Sequence, residues 1–490
     1  MKALLINPID SVMVALSDLK KGEVIDGVTL KEDIKTAHKF AIKDIKKGEN
    51  IYKYGYPIGH AKVDINKGNW VHTHNVETNL SSQLSYTYDP HKKDVTSFLS
   101  SKDVYLYERE NGTYGIRNNL FIIPLVGCVN GQALKIKERL LKEEDASHID
   151  DIIVLTHPFG CSQMGEDKLF TERILRKCVT HPNAGGVLIL SLGCEENRLE
   201  PFMEELGHIN PLRIKKLKAQ DIDDEVEEGV RLGKEILSIM KNDKRTKQDL
   251  SKIRVGLKCG GSDGFSGITA NPLVGLFSDY IVSHGGTSVL SEVPEMFGAE
   301  TMLMSRAENK DVFDKIVLLI NNFKKYYEDH HQVCYENPSP GNKDGGITTL
   351  EDKSLGCVQK AGHSNVKDVV FDDEVIKTSG LNLLNGPGND MVACTNLASS
   401  GCQLILFTTG RGTPFGTIVP TIKIATNSSL AKRKANWIDF NAGALVDGLS
   451  MEELFSQFVD KVISIINGEK SKNEINGFEE ISIFKDGVTL

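Results

Sequence analysis

The sequence predicts a multidomain α/β protein: a small all-β N-terminal domain followed by two α/β domains with mainly parallel sheets. Three observations carry this. The chain has 490 residues, too many for one hydrophobic core. A glycine-turn repeat fills its first part, and beyond it short β-branched runs alternate with amphipathic stretches. The boundaries read as residues 1–90 for the β domain, 91–104 for a linker, 105–245 for the second domain and 250–490 for the third.

The repeat occurs at Asp18 to Ile25, Asp44 to Ile51 and Asp64 to Val71, each with Asp, an apolar residue, any residue, Lys, Gly, two variable positions and Ile or Val. Glycine after polar residues supplies a positive-φ turn, and the β-branched residue after it starts a strand. The polar stretch Ser85 to Lys102 lacks sustained periodicity and reads as linker. In the second domain, strands are expected at Leu120 to Val126, Ile152 to Thr156 and Val187 to Leu192, and helices at Ala133 to Lys142, Asp167 to Cys178 and Glu225 to Met240. The charged segment Lys241 to Ser251 marks the next boundary. The third domain then offers strands at Ile253 to Leu257, Gln403 to Phe407 and Thr421 to Ala425, a helix over Leu273 to His284, and a Gly/Pro/Asn-rich region, Glu336 to Gly346, expected to be an active-site loop.

Composition narrows the function. Hydrophobic residues at 40%, charged residues at 26% and a net charge of -9 describe an ordinary globular protein without the basic footprint of a nucleic-acid binder. No apolar run reaches a membrane span, and the short N-terminal one is no signal peptide, so a cytoplasmic location without membrane partners is expected. The nine scattered cysteines read as reduced thiols. A homo-oligomer is compatible with this pattern.

Several motifs could carry chemistry. His72 and His74 follow a predicted strand at alternate positions, so both imidazoles would share a face and could form half of a Zn, Mn or Fe site; two solvated histidines are the alternative. Gly127-Cys128, Gly160-Cys161 and Gly193-Cys194 each follow a predicted strand at even spacing. All three thiols would then line the carboxyl edge of a parallel sheet, among polar neighbours that include His157, Glu195 and Glu196. The alternative for each pair is close packing of strand and helix. An iron-sulfur cluster on three cysteines is a rival chemistry that no compact Cys-x-x-Cys motif supports.

Lys258 to Gly267, with Gly260, Gly261, Ser262 and Asp263 after a strand, exposes backbone N–H groups able to hold a carboxylate. It fits neither the Walker A nor the dinucleotide spacing, so neither ATP nor NAD is expected. Glu292 to Glu295 offers carboxylates for metal or acid/base work, or an ordinary helix start. Thr408 to Gly416 sets Arg411 between glycines, as a carboxylate clamp or as a solvated surface turn.

Together, the repeats ending in His72-Thr73-His74-Asn75, Arg117-Asn118-Asn119, Thr156 to Cys161, Gly193 to Asn197, Lys258 to Gly264, Asn337 to Asn342 and Phe407 to Gly412 resemble the altronate/galactarate dehydratase family over essentially the whole chain. The resemblance implies an N-terminal SAF domain of β-clip fold joined to the family's second and C-terminal domains. Total length and His72 to Asn79 are more similar to the altronate branch than to the longer galactarate enzymes. The implied reaction turns D-altronate into 2-dehydro-3-deoxy-D-gluconate with Fe2+ or Mn2+; a hexarate substrate or a non-catalytic sugar-acid binder are the alternatives. The resemblance does not assign residue roles; from their location in polar loops at predicted strand ends, His72 and His74 are expected to hold the metal, with Cys128, Cys161, Cys194 and Glu195 as further ligand candidates. His157 and Lys258 are the base and acid candidates. Arg411 is the third catalytic candidate, helping with the Gly260 to Gly264 amides to stabilise the developing charge, and Asn75, Gly260, Gly261, Ser262, Asp263, Thr409 and Gly410 hold the substrate.

Overall fold

Antiparallel strands build the N-terminal part of the computed structural model, which describes residues 1–490 other than 81–83, 93, 96, 98 and 373. The expected linker 91–104 and domain 1–90 each include some of these positions, which lie outside the described residues. One four-stranded sheet joins Ala3–Leu4, Val12–Ala15, Lys39–Ala41 and Trp70–Val71; a three-stranded one joins Asn50–Lys53, Tyr56–Ala61 and Val76–Glu77. Gly22, Gly48 and Gly68 take φ of +86°, +84° and +89°, as the repeat requires. The apolar residue of each repeat, Leu19, Ile45 or Ile65, is buried. Ala37 takes the same left-handed position, φ +69°, without glycine, so this further turn is invisible to the sequence pattern.

That turn is where the β domain docks. A Cβ on Gly264 would lie 2.1 Å from the Ala37 carbonyl oxygen, and one on Gly346 2.4 Å from it, so only glycine admits the approach. Beside it Lys39 Nζ donates to Asp352 Oδ2 at 2.8 Å and Lys53 Nζ to Asp352 Oδ1 at 2.9 Å, all three side chains being buried. The N-terminal domain therefore folds back against the C-terminal one. The start of the polar stretch Ser85 to Lys102 also packs: Tyr86 and Tyr88 lie on the C-terminal core, and the Tyr86 hydroxyl donates to Glu300 at 2.6 Å.

The second domain is a four-stranded parallel sheet in the order Ile152–Val154, Asn119–Pro124, Ala184–Ser191, Ile214–Lys218. Helix Glu225–Met240 matches its expected span, capped by Asp224, whose side chain accepts the N–H of Glu227. The charged boundary segment contains a strand, Arg245–Gln248, that pairs antiparallel with Val104–Glu108, so the chain entering the domain is clasped to the chain leaving it.

The C-terminal domain holds a seven-stranded parallel sheet in the order Val366–Val370, Gly380–Leu384, Thr287–Leu290, Arg254–Cys259, Leu404–Thr409, Thr421–Ala425, Phe440–Asn441. Strand order reverses between Arg254–Cys259 and Leu404–Thr409. A crevice opens at the carboxyl ends of such a pair, where open α/β sheets bind ligands. No helix among the described residues is long and apolar enough to cross a membrane.

The Lys39–Asp352–Lys53 contact makes a stability prediction. Against the opposing pull of burial, the two ammoniums hold the Asp352 carboxyl well below the usual carboxylate range. Asp352→Asn leaves them without counter-charge and should cost about 3–5 kcal/mol of unfolding free energy in urea titrations at neutral pH. A depressed folded-state pKa stabilises above the unfolded value of about 4, and this contribution fades below it, so the gap between the two proteins should narrow in acid.

Candidate active site

The carboxyl ends at the reversal point carry Cys259, Gly260 and Gly261 on one side and Thr409, Gly410 and Arg411 on the other. The amides of Gly410 and Arg411 donate to the Gly261 carbonyl at 3.1 and 2.9 Å, lacing the two loops together. A cleft of about 690 Å³, a size that suits a small polar metabolite, opens on the Cys259 to Gly261 side of this point, over the ends of Thr287–Leu290 and Gly380–Leu384; Thr409, Gly410 and Arg411 stand beside it and are not part of its lining. Phe323, Tyr326, Tyr327 and Phe484 form one wall; Glu295, Lys353, Asn337, Asn342 and Asp390 supply polar groups.

Beneath the cleft lies a buried charge network. Lys258, at the end of its strand, donates to Glu292 and, at 2.8 Å, to Asp390. Glu292 Oε2 also accepts from Lys360 Nζ at 3.0 Å and from the Cys259 amide at 3.0 Å. Glu292 sits at φ +69°, ψ +55°, a left-handed conformation that costs a non-glycine residue roughly 1–2 kcal/mol. Three residues on, Glu295 Oε1 accepts from Lys353 Nζ at 2.8 Å, and its Oε2 lies 3.3 Å from Cys259 Sγ and 3.1 Å from Cys357 Sγ. The two sulfurs are 3.3 Å apart, and Lys360 Nζ is 2.8 Å from Cys259 Sγ.

Helix Leu350–Cys357, capped by Thr349, and the single turn Val358–Ala361 that continues it place Lys353, Cys357 and Lys360 on one face by i, i+4, i+7 spacing. Burial opposes charge on Lys258, but Glu292 and Asp390 outweigh it and push its pKa well above the ordinary value. Burial likewise opposes charge on Glu295, and Lys353 and Lys258 outweigh it, holding the carboxyl below its ordinary range.

Among the described residues the one set of three His, Cys, Asp or Glu side chains with ligand atoms all within 4.8 Å is Cys259, Glu295 and Cys357. It draws one ligand from the strand end, one from the turn after the next strand and one from the helix.

The expected site residues divide sharply. Strand Trp70–Val71 ends before His72, and a tight turn follows in which Asn75 and Val76 donate to the His72 carbonyl, so the alternate-position geometry does not form. His72 stacks on Trp70 at 4.9 Å and is buried, whereas His74, also against Trp70, is exposed. Burial and the Lys39 ammonium push His72 down to about 3, leaving it neutral, with its Nδ1 unpartnered. Asn75 spends its side chain on this turn, accepting from His72 N and donating to the Trp70 carbonyl.

His157 is a structural pin: one ring nitrogen bonds the Pro124 carbonyl at 2.8 Å, the other accepts from the Phe159 amide at 3.2 Å, and burial lowers its pKa. Lys258 lies in the network beneath the cleft. Asp263 is consumed by bonds to Thr426, Asn427, Phe265 and Ser266, and Gly410 is glycine because a Cβ would strike Asp263 at 2.2 Å. Thr409 caps the Gly412 amide. Glu195 accepts from Ser191, Leu192 and Gly193, a purely local role. Cys128, Cys161 and Cys194 are exposed, on a different sheet edge.

Gly260 and Gly261 do line the cleft, and Ser262 follows them with its buried Oγ unpartnered. Arg411 is exposed beside Gly261, its Cβ 3.2 Å from the position a Gly261 Cβ would take; among the described residues its guanidinium has no acid partner. Sequence reading missed Lys353, Cys357, Lys360 and Asp390; the i, i+4, i+7 spacing was the available signal for the first three.

These features define a multidomain α/β protein with an N-terminal β module and a cleft over a buried charge network, and by sequence comparison the chain belongs to the altronate/galactarate dehydratase family. Residues 1–79 match the altronate/galactarate dehydratase SAF domain, 106–241 the D-galactarate dehydratase/altronate hydrolase second domain and 250–489 the D-galactarate/altronate dehydratase C-terminal domain. The chain is 51% identical to an altronate dehydratase of Escherichia coli (strain K12), covering 100% of both chains. It is 53% identical to an altronate dehydratase of Bacillus subtilis (strain 168), covering 98% of both. A galactarate dehydratase (L-threo-forming) of E. coli is 31% identical over 94% of this chain and 92% of its own.

The structural role of His157 is checked by His157→Gln. It should lower unfolding free energy by about 1–3 kcal/mol, the cost of stranding a buried hydrogen-bond partner, while turnover per folded chain stays within about threefold of wild type, since a missing general base costs about 10²–10⁴-fold.

Proposed function

We propose that this chain is a cytoplasmic hydro-lyase that converts D-altronate to 2-dehydro-3-deoxy-D-gluconate and water in the cleft at the sheet reversal point. The observation that carries the substrate is the 51% and 53% identity, over nearly full length, to two altronate dehydratases, against 31% to the galactarate enzyme. The observation that carries the location is the buried network under an open polar cleft.

Loss of water across C2 and C3 begins with a proton alpha to a carboxylate, and the enediolate that results carries concentrated negative charge. Fixed cations in a water-poor site stabilise such charge more than water does. Lys353, at the cleft, and Lys258 and Lys360 beneath it supply three. Arg411 clamps the substrate carboxylate together with the Gly261 and Ser262 amides, which have no acceptor among the described residues. Asp390 receives the C2 proton: its side chain is 37% exposed, Lys258 takes only Oδ1, and Oδ2 is left open to substrate.

Cys259, Glu295 and Cys357 would hold the divalent ion that the family resemblance implies. Two sulfurs and one carboxylate suit iron better than manganese, which prefers oxygen ligands. When bound, such an ion supplies Lewis-acid stabilisation of negative oxygen. His72 and His74, split between a buried and an exposed position, fit that role less well.

Two variants test the reading by keto-acid formation from D-altronate. Asp390→Asn should lower kcat by about 10²–10⁴-fold with KM little changed. Arg411→Met should raise KM about 10–100-fold, the worth of a charge-assisted hydrogen bond. Wild-type kcat in the first variant removes Asp390 as base, and failure of the wild-type chain to act on D-altronate removes the substrate assignment.

A further inference from the structure

The carboxyl edge of the second domain's sheet has no part in the dehydration just described, yet it is built like a site. Cys161, Cys128 and Cys194 follow the adjacent strands Ile152–Val154, Asn119–Pro124 and Ala184–Ser191, and all three thiols are exposed. The loops that carry them are locked to one another. Gly127 N donates to the Phe159 carbonyl at 2.8 Å, Asn197 N to the Gly160 carbonyl at 3.2 Å, and Asn197 Nδ2 to the Leu125 carbonyl at 3.0 Å. Asn130 Nδ2 donates to the His157 carbonyl at 2.9 Å.

Each thiol follows a glycine that has no room for a side chain. A Cβ would lie 2.8 Å from the His157 oxygen at Gly127, 2.1 Å from the Leu125 oxygen at Gly160 and 2.7 Å from Gln220 Oε1 at Gly193. Rigid loops held this tightly present cysteine, a residue usually buried, to solvent three times over. A second observation points the same way. Asn130 Oδ1 and Asn197 Oδ1, on two of the three loops, are buried without a hydrogen-bond partner, which is costly in a finished interior.

Spacing selects the ligand. Three adjacent strand ends span about 10 Å, at 4.7–4.9 Å per strand. A single tetrahedral ion with metal–sulfur bonds of about 2.3 Å draws its thiolates to within about 4 Å of each other. At least one pair of the three sulfurs is more than 4.8 Å apart, wider than one ion draws thiolates together, whereas a four-iron cluster gives each thiolate its own iron. The chain's other cysteines are Cys178, Cys259, Cys357, Cys394 and Cys402, all buried elsewhere, and Cys334 in the segment before the cleft loop. None of them belongs to these loops.

We propose that Cys128, Cys161 and Cys194 bind a [4Fe–4S] cluster with its fourth iron open to an oxygen ligand, such as water or a hydroxycarboxylate. This goes beyond the dehydration assigned to the C-terminal cleft and does not rest on it.

The full chain, isolated without oxygen and reconstituted with ferric iron, a dithiol reductant and sulfide, should turn brown. It should hold about four irons and four acid-labile sulfides, and lose them in air. Cys128→Ser, Cys161→Ser and Cys194→Ser should each cut labile sulfide at least about fivefold, with far-ultraviolet circular dichroism unchanged, whereas Cys334→Ser should keep it. Wild-type protein without labile sulfide after reconstitution overturns the proposal, as does a triple serine variant with wild-type sulfide. Turnover of D-altronate, assayed in parallel with ferrous iron alone, separates the two readings. A sulfide-free chain that is active loses only the cluster; a sulfide-bearing chain inactive on D-altronate loses only the dehydratase assignment.

Discussion

The ion network of Lys258, Glu292 and Lys360 is the constraint on which the C-terminal half of this molecule turns. Three charged side chains at 0–1% exposure would each cost several kcal/mol if unpaired. The pairing requires the end of one strand, the turn after its neighbour and the helix-plus-turn from 350 to 361 to be in place together. Glu292 accepts a strained backbone to reach both lysines and the Cys259 amide. A network with those demands forms only in the finished fold, and it fixes the floor of the cleft before any substrate arrives.

The same helix explains why the β domain belongs to the enzyme and is not an appendage. Successive residues of Leu350–Cys357 face different partners. Glu351 accepts from Thr78 and Asn79, Asp352 pairs with Lys39 and Lys53, and Lys353 then reaches Glu295 and the cleft. Docking of the N-terminal domain and placement of Lys353 and Cys357 are thus one event. The histidine turn at 72–75 ends up near this contact, where His72 feels the Lys39 charge, and serves packing around Trp70.

How much of this was legible depended on whether the signal was local. The glycine turns, the strand-helix alternation and helix Glu225–Met240 follow from short-range periodicity, and they stand where expected. Gly260 and Gly261, singled out as a glycine pair after a strand, lie in the lining of the cleft. Helix Leu350–Cys357 was not: Leu-Glu-Asp-Lys-Ser has the charge density of a solvated face, yet every residue of the helix is buried. Its charges find partners more than 50 residues away, and no periodicity encodes that. His157 shows the opposite limit: its polar loop is legible in the sequence, but the backbone partners of both ring nitrogens, from Pro124 and Phe159, are not.

The most direct test of the central claim is kcat/KM for D-altronate in Glu292→Gln, a substitution that keeps shape but removes the charge joining Lys258 to Lys360 and replaces one accepting oxygen by a donor. The account predicts a loss of about 100-fold or more in a protein that still folds cooperatively, because Lys258, Lys360 and the Cys259 amide lose the shared carboxylate that holds them in place under the cleft. A Glu292→Gln chain with wild-type kcat/KM would contradict it and move the reaction away from this cleft.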